Sequence, residues 1–299
     1  MKYFIKFFIL SVLIFFSACS KDVKKNDNTI VVSTFAIYDI VSHIAKKNFS
    51  VSMLIEPGKE IHEYEPTPKD VVRLKNASLF IYSGAGLEPW VEKFKQYPKK
   101  SLDLSKFVKL KKADHHHKHT HSAYDPHYWL DFSNMKIATK VITKELIALM
   151  PTKKDIFIKN EKQYLNMLDN LDAEFKKELL ACKKDTIVVN HNAYGYLAKR
   201  YGFKIESLVG LSPEAQPNPK IIQNSLKEIK SKGIKVLFSE AFENNSVLKS
   251  IAKDAKVTID TLQPLANLTN DEAKKNLTYK DIMLQNLKKL KNALECNGI

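Results

Sequence analysis

The sequence predicts an α/β protein of two lobes, each a mostly parallel sheet flanked by helices, the two joined by one long rigid helix. Three observations lead there. Short β-branched runs alternate with stretches that carry apolar residues at helical spacing. This alternation occurs once before about residue 132 and again after about residue 183. The stretch between is rich in Leu, Lys, Glu and Asp, has no glycine, and is punctuated by Pro151 alone.

In order, Thr29 to Thr34 reads as strand, Ile37 to Ala45 as helix, Val51 to Ile55 as strand, Lys69 to Lys75 as helix, Leu79 to Ser83 as strand and Pro89 to Phe94 as helix. Two helices fit the middle stretch, the second running from Pro151 to about Ala181. Beyond it, Thr186 to Val189, Lys204 to Leu208, Val236 to Ser239 and Val257 to Thr261 are strands. Tyr194 to Tyr201, Pro219 to Lys230 and Ser246 to Ala255 are helices, and a closing helix covers about Thr278 to Glu295. The expected divisions are a first lobe over 29–150, a linking helix over 151–183 and a second lobe over 184–299. A chain of 299 residues can bury one large core or two moderate ones, and two lobes favour the second.

The N-terminus is read apart from the fold. Lys2 and Lys6 flank the start of the apolar stretch Phe7 to Phe16, which runs into Ser17-Ala18-Cys19: a secretory signal over 1–19, too short to remain as a spanning helix. The small pair before a cysteine, followed by the polar run Ser20 to Asn28, resembles the bacterial lipobox, at which cleavage leaves a lipidated cysteine. Phe16 departs from the usual Leu of that box. We read Cys19 as the lipidation site and 20–28 as a polar tether; ordinary cleavage with a free thiol is the alternative. The expected location is outside the cytoplasmic membrane, periplasmic or at the cell surface. Such a compartment permits Cys182 and Cys296 to pair, with two buried free thiols as the alternative. Neither has Cys-x-x-Cys spacing, so neither reads as a zinc ligand or redox motif.

A net charge of +15 calls for a nucleic-acid test. The lysines are spread through helices and tether, with no single basic stripe interleaved with aromatics, and an exported protein meets little nucleic acid. A solvated lysine surface near anionic lipid accounts for the charge.

Of nine histidines, His115, His116, His117, His119 and His121 crowd into the stretch 114–121, whose compositional reading is a metal-binding loop. His43 lies in a predicted helix, in a structural or surface role. His62 stands in a run closed by Pro66 and Pro68, which place it on a loop after a strand. His62-Glu63 lacks the second histidine that a metalloprotease helix needs, since position 66 is proline. His127 precedes a helix in Asp125-Pro126-His127, and His191 sits where a strand meets a helix. Three neutral imidazoles converging on one point suit zinc, which takes nitrogen in tetrahedral geometry at about 2.0–2.1 Å. Spacing alone does not show convergence, and isolated structural histidines are the alternative.

The residues that carry a resemblance are Pro57-Gly58 followed by His62 to Pro68, Gly86 to Trp90, Asp125 to His127 with Trp129 to Asp131, His191 to Tyr196, Gly210 to Ala215, and Leu262 to Leu265. In that order they resemble the zinc and manganese solute-binding receptors of bacterial ABC transporters, most closely the zinc-uptake branch, over about residues 29 to 295. The resemblance implies a metal held in the cleft between lobes, with His62 and His127 from the first and His191 from the second as ligands. It further implies Zn²⁺ as transported ligand, a membrane permease as partner, no catalysis, and a monomer. In the manganese branch a glutamate stands at the position of His191. The family's late aspartate is here Gln263, so the fourth ligand is open among Glu60, water and Asp260, with Glu60 or water preferred.

The histidine loop resembles the one by which such receptors gather extra metal. Competing readings are a manganese receptor of the same family, a zinc-dependent hydrolase with Glu60 or Glu240 as base, and an adhesin or zinc buffer.

Overall fold

Ile30, Val31 and Val32 in β1 (Thr29–Val32) and all of β3 (Leu79–Tyr82) are buried, as strands covered by helices on both faces must be. In this computed structural model, residues 28–113, 123–211, 213, 218–242 and 246–296 are described. The signal segment with Cys19, residues 20–27 of the tether and the five clustered histidines lie outside the described residues. β1 pairs in parallel with β2 (Ser50–Met53) and β3, and β3 with β4 (Ser101–Asp103). The second sheet, from β5 (Thr186–His191), β6 (Lys204–Val209), β7 (Val236–Ser239) and β8 (Thr258–Thr261), is likewise all parallel. Strand orders β2-β1-β3-β4 and β6-β5-β7-β8 both reverse beside the first strand of the sheet. Open parallel sheets gather ligands outside the carboxyl ends of the strands at that reversal.

The first lobe's helices are α1 (Phe35–Ala45), α2 (Pro68–Asn76) and the short α3 (Val91–Phe94). Pro68 opens α2 behind the capping box of Thr67 and Asp70, so the prolines that kept His62 out of a helix start one six residues later. After α4 (Phe132–Leu149), Pro151–Lys153 form a 3₁₀ turn and α5 runs over Lys154–Glu178. This linking helix is shorter than the expected 151–183. Pro151 opens the tighter turn, and beyond Glu178 the chain leaves the helix to reach Cys182, which is disulfide-bonded to Cys296. The second lobe adds α6 (Gly195–Tyr201), α7 (Pro219–Ser231) and α8 (Ser246–Ala255), then α9 (Asn270–Lys274) and α10 (Tyr279–Ala293). No described helix is long and apolar enough to cross a membrane.

One large core runs through both lobes, from Ile30, Phe80 and Trp129 to Val189, Tyr194, Leu265 and Tyr279; a small second core of Val188, Leu208, Ile229, Leu237 and Leu248 lies within the second lobe. The continuity has a cause in the return of the chain. After β8 the backbone crosses to the first lobe, where Pro264 O accepts from Trp129 Nε1 (2.6 Å), Ala266 O from Phe35 N (2.9 Å) and Leu268 O from Gly58 N (2.8 Å). α10 then packs on α5 and α1. Buried Asp39 of α1 joins these three helices, accepting from Tyr164 Oη (2.6 Å) and Tyr279 N (3.0 Å). The closing helix thus belongs spatially with the linking helix and the first lobe.

Arg200 of α6 adds a third tie. Its guanidinium donates to both carboxylate oxygens of Asp172 on the linking helix, and to Asp131 Oδ1 (3.1 Å) and Ser133 Oγ (2.8 Å) at the start of α4. Asp131 lies four residues after His127, and Arg200 nine after His191. Hydrogen bonds to charged groups contribute about 1.5–3 kcal/mol each in part-buried settings. We expect Arg200→Ala to lower unfolding free energy by about 2 kcal/mol or more in denaturant titration, and Arg200→Lys, lacking the planar fork, to recover only part of it. An unchanged midpoint for Arg200→Ala removes this tie from the account of stability.

Candidate metal centre

His191 is the last residue of β5, at the carboxyl end of the second sheet's central region, and is 1% exposed. His127 precedes the 3₁₀ turn Tyr128–Leu130 and is fully buried. His62 comes from the loop between β2 and α2 and is partly exposed. These three are brought together: one ligand atom from each lies within 4.8 Å of the others. Ring centroids are 4.9 Å apart for His127 and His191, 5.4 Å for His62 and His191, and 5.6 Å for His62 and His127.

Carboxylates orient two of the rings. Asp125 Oδ1 accepts from the backbone N of His127 (3.0 Å) and lies 2.9 Å from its Nδ1. A carboxylate only accepts, so the proton sits on Nδ1 and the Nε2 lone pair is left outward; that Nε2 is buried with no hydrogen-bond partner among the described residues. His191 Nδ1 is 3.0 Å from Glu240 Oε1, while its Nε2 is 3.1 Å from Leu211 O. A neutral ring has one N–H and cannot serve both acceptors. Gly195 lets α6 approach this shell, since a Cβ there would stand 3.0 Å from Asp125 Oδ2.

Desolvation, then the neighbouring rings of His191 and His127, pull His62 well below its ordinary 6.5. Burial lowers His127 too, against the opposing pull of Asp125. At neutral pH both rings are therefore uncharged and present lone pairs. The cavity they share is about 10 Å³, and Glu60, Glu240, Phe242, Gln263 and Asn267 help to line it. That is room for about one water or one ion.

The remaining sequence-derived candidates fall elsewhere. Glu60 lines the cavity, but the three-histidine group does not include it, and its Oε1 accepts from the backbone N of Ile61 (2.9 Å) and of His62 (3.1 Å). Asp260 pairs with Lys289 at 3.2 Å on the surface. Gln263 donates to Glu272 Oε2 (2.9 Å) and accepts from Leu265 N (3.1 Å). His43 is bound by its own helix, Nδ1 lying 2.7 Å from Asp39 O. Sequence reasoning gave Asp125 no role of its own, although its place two residues before His127 was a usable signal. For Glu240 as the partner of His191, 49 residues away, spacing offered none, and Asn267 went unnoticed.

Two parallel sheets that meet over an ion-sized, three-histidine cavity and are bridged by a long helix define a two-lobed solute-binding fold. The chain belongs to the ZnuA family, described as zinc-uptake complex component A, periplasmic, whose profile matches residues 30–293. It is 30% identical over 302 residues to the zinc-binding lipoprotein AdcA of Streptococcus pneumoniae (strain ATCC BAA-255 / R6); that match covers 95% of this chain and 60% of the relative's length. It is 31% identical over 283 residues to the high-affinity zinc uptake system protein ZnuA of Bacillus subtilis (strain 168), covering 90% of this chain and 89% of that one. The zinc(II)-bound ZnuA-like domain of Streptococcus pneumoniae AdcA superposes with a TM-score of 0.76 at 30% identity, over 89% of this chain and 98% of that chain.

The depressed His62 has a signed consequence for the metal-free protein. Below about 6.5 the unfolded chain takes up a proton that folded His62 refuses, so stability falls as pH drops through that window and recovers as it rises. Glu88 works the other way: burial pushes it up to about 7, so protonation favours the folded state as pH falls. The diagnostic is therefore the difference between parent and His62→Gln in denaturant unfolding from pH 7 to pH 5. The variant should lose less stability on acidification, and identical slopes would refute a neutral, desolvated His62.

Proposed function

We propose that this chain is an exported receptor that captures Zn²⁺ with His62, His127 and His191 and passes it to the membrane permease of an ABC importer, without catalysis. The observation that carries the reading is the convergence of three imidazoles in an ion-sized cavity, one presenting a buried nitrogen with no partner among the described residues. Tetrahedral zinc at 2.0–2.1 Å sets its nitrogens about 3.3–3.4 Å apart, so the group needs to contract by about 1 Å or a little more. A nitrogen donor set favours zinc over manganese, which prefers more ligands and oxygen. A hydrolase needs a carboxylate poised on water; Glu240 is engaged with His191 and Glu60 with loop amides.

The relatives' names, a zinc-binding lipoprotein and a high-affinity zinc uptake protein, support zinc as cargo and, with the signal-like start of the chain, lipidation at Cys19. Delivery to a permease follows from the family's description as a component of a zinc-uptake complex. The fourth position is best read as water, since Glu60 lies outside the group of ligand atoms within 4.8 Å of one another. The run His115 to His121 is read as an auxiliary zinc-gathering loop, and a monomer is the expected state.

Titration with zinc against a competing chelator tests the core of this. One tight site is expected; His62→Ala, His127→Ala and His191→Ala should each weaken it by at least about a hundredfold, beyond the tenfold to hundredfold typical of groups that only orient a ligand. Near-parental affinity in any of the three removes that residue from the site, and manganese outcompeting zinc refutes the choice of cargo. Deleting residues 114–122 should leave the tight site in place while lowering total zinc capacity.

Orientation has its own test. Asp125→Ala and Glu240→Gln should weaken zinc binding by about tenfold to a hundredfold while all three histidines remain. Parental affinity in both would mean the rings are held by packing alone.

A further inference from the structure

His127 and His191 have carboxylates to orient their rings, but among the described residues no hydrogen bond reaches the ring of His62. Its position must come through its backbone. Pro57 and Gly58, the latter at φ +87°, form a turn between Glu56 and Lys59, three residues before His62. Among the described residues, the hydrogen bonds reaching this turn from outside come from the segment that returns after β8. Asn267 Nδ2 donates one proton to Glu56 O (2.9 Å) and the other to Lys59 O (2.8 Å), and Leu268 O accepts from Gly58 N (2.8 Å). Asn267 is 3% exposed, lines the cavity, and has its Oδ1 taken by Leu268 N (2.8 Å). Onward from Lys59, Glu60 ties the amides of Ile61 and His62 together, so Glu56 to His62 behaves as one piece fastened at its base.

We propose that Asn267 is the positioning residue for His62: its carboxamide clamps both carbonyls of the Glu56–Lys59 turn and thereby holds the one histidine that lacks an orienting carboxylate at the distance the other two require. An amide is the side chain that fits. It gives two donors from one nitrogen toward two carbonyl oxygens, in a buried setting where an unmet acceptor is costly. Aspartate has the same shape and no donor, and would set negative oxygens against both carbonyls.

The inference rests on His62 holding zinc, and a double-mutant cycle separates the two claims. Zinc dissociation constants are measured by chelator competition for the parent, Asn267→Asp, His62→Ala and the double variant, and cobalt(II) substitution reports ligand geometry through its visible absorption. Asn267→Asp should weaken zinc tenfold to a hundredfold, as loss of a group that orients a ligand does, and alter the cobalt bands. In the His62→Ala background it should add less than twofold, because its effect passes through that ring. A role in folding alone would lower thermal stability equally in both backgrounds and leave the cobalt spectrum of the loaded protein unchanged. Asn267→Ala, which removes the donors without adding charge, is read by the same criteria if the aspartate variant does not fold. Affinity within twofold of the parent, or an equal loss with and without His62, overturns the inference while leaving the receptor reading intact. A parent no tighter than His62→Ala overturns both.

Discussion

Three imidazole rings with ligand atoms within 4.8 Å of one another would repel strongly if protonated. Their approach is tolerable because the surroundings keep two of them neutral: burial acts on His127, and desolvation with the two neighbouring rings acts on His62. Neutrality alone would leave each ring free to turn either nitrogen inward. Asp125 removes that freedom for His127 by engaging Nδ1, which points Nε2 at the shared space, while the His191 ring is held between Glu240 Oε1 and Leu211 O. The group is in this sense prepared for a cation, since no proton has to be displaced at neutral pH from His62 or His127.

Holding such a group requires the two sheets to keep a fixed relation, and a single helix would be a poor means of doing so. The chain supplies three further ties. The returning segment delivers Pro264, Ala266 and Leu268 carbonyls to Trp129, Phe35 and Gly58; Asp39 joins α1, α5 and α10; and Arg200 spans Asp131 and Asp172. The first and third act beside the histidines. Trp129 is two residues from His127, and Arg200 shares α6 with Tyr196, whose hydroxyl accepts from Lys111 N (2.8 Å) and donates to Asp125 O (2.7 Å). His127 and His191 thus sit on segments bolted directly to each other. The small second core, with α7 and α8, lies outside these ties.

Period and punctuation made most elements legible. Val236–Ser239 and Ser246–Ala255 match the sequence reading end to end, and most others differ by one or two residues. What escaped was short or long-range. β4 is three residues, too few for an alternation to register, and α9 has five. The placement of α10 against the first lobe depends on Asp39 meeting Tyr279 N across 240 residues, for which no local pattern exists. At the site, proline and strand-end positions located each histidine on a loop or strand terminus, but their convergence came only with the family resemblance. Glu240 and Asn267 act through contacts 49 and about 210 residues distant and left no trace in spacing.

Gln263 stands where the family resemblance calls for an aspartate, and its contacts need an amide. Its Nε2 donates to Glu272, whose same oxygen caps the start of α9 by accepting from Thr269 N (2.8 Å). A carboxylate at 263 would face that acidic group with no proton to give. The amide therefore stabilises the returning segment, which in the proposed receptor would leave the ion to three histidine nitrogens and a solvent position. In the proposed receptor such a donor set leaves the full charge of zinc uncompensated by its ligands. An exchangeable water there would give an incoming ligand a place to bind before the histidines let go.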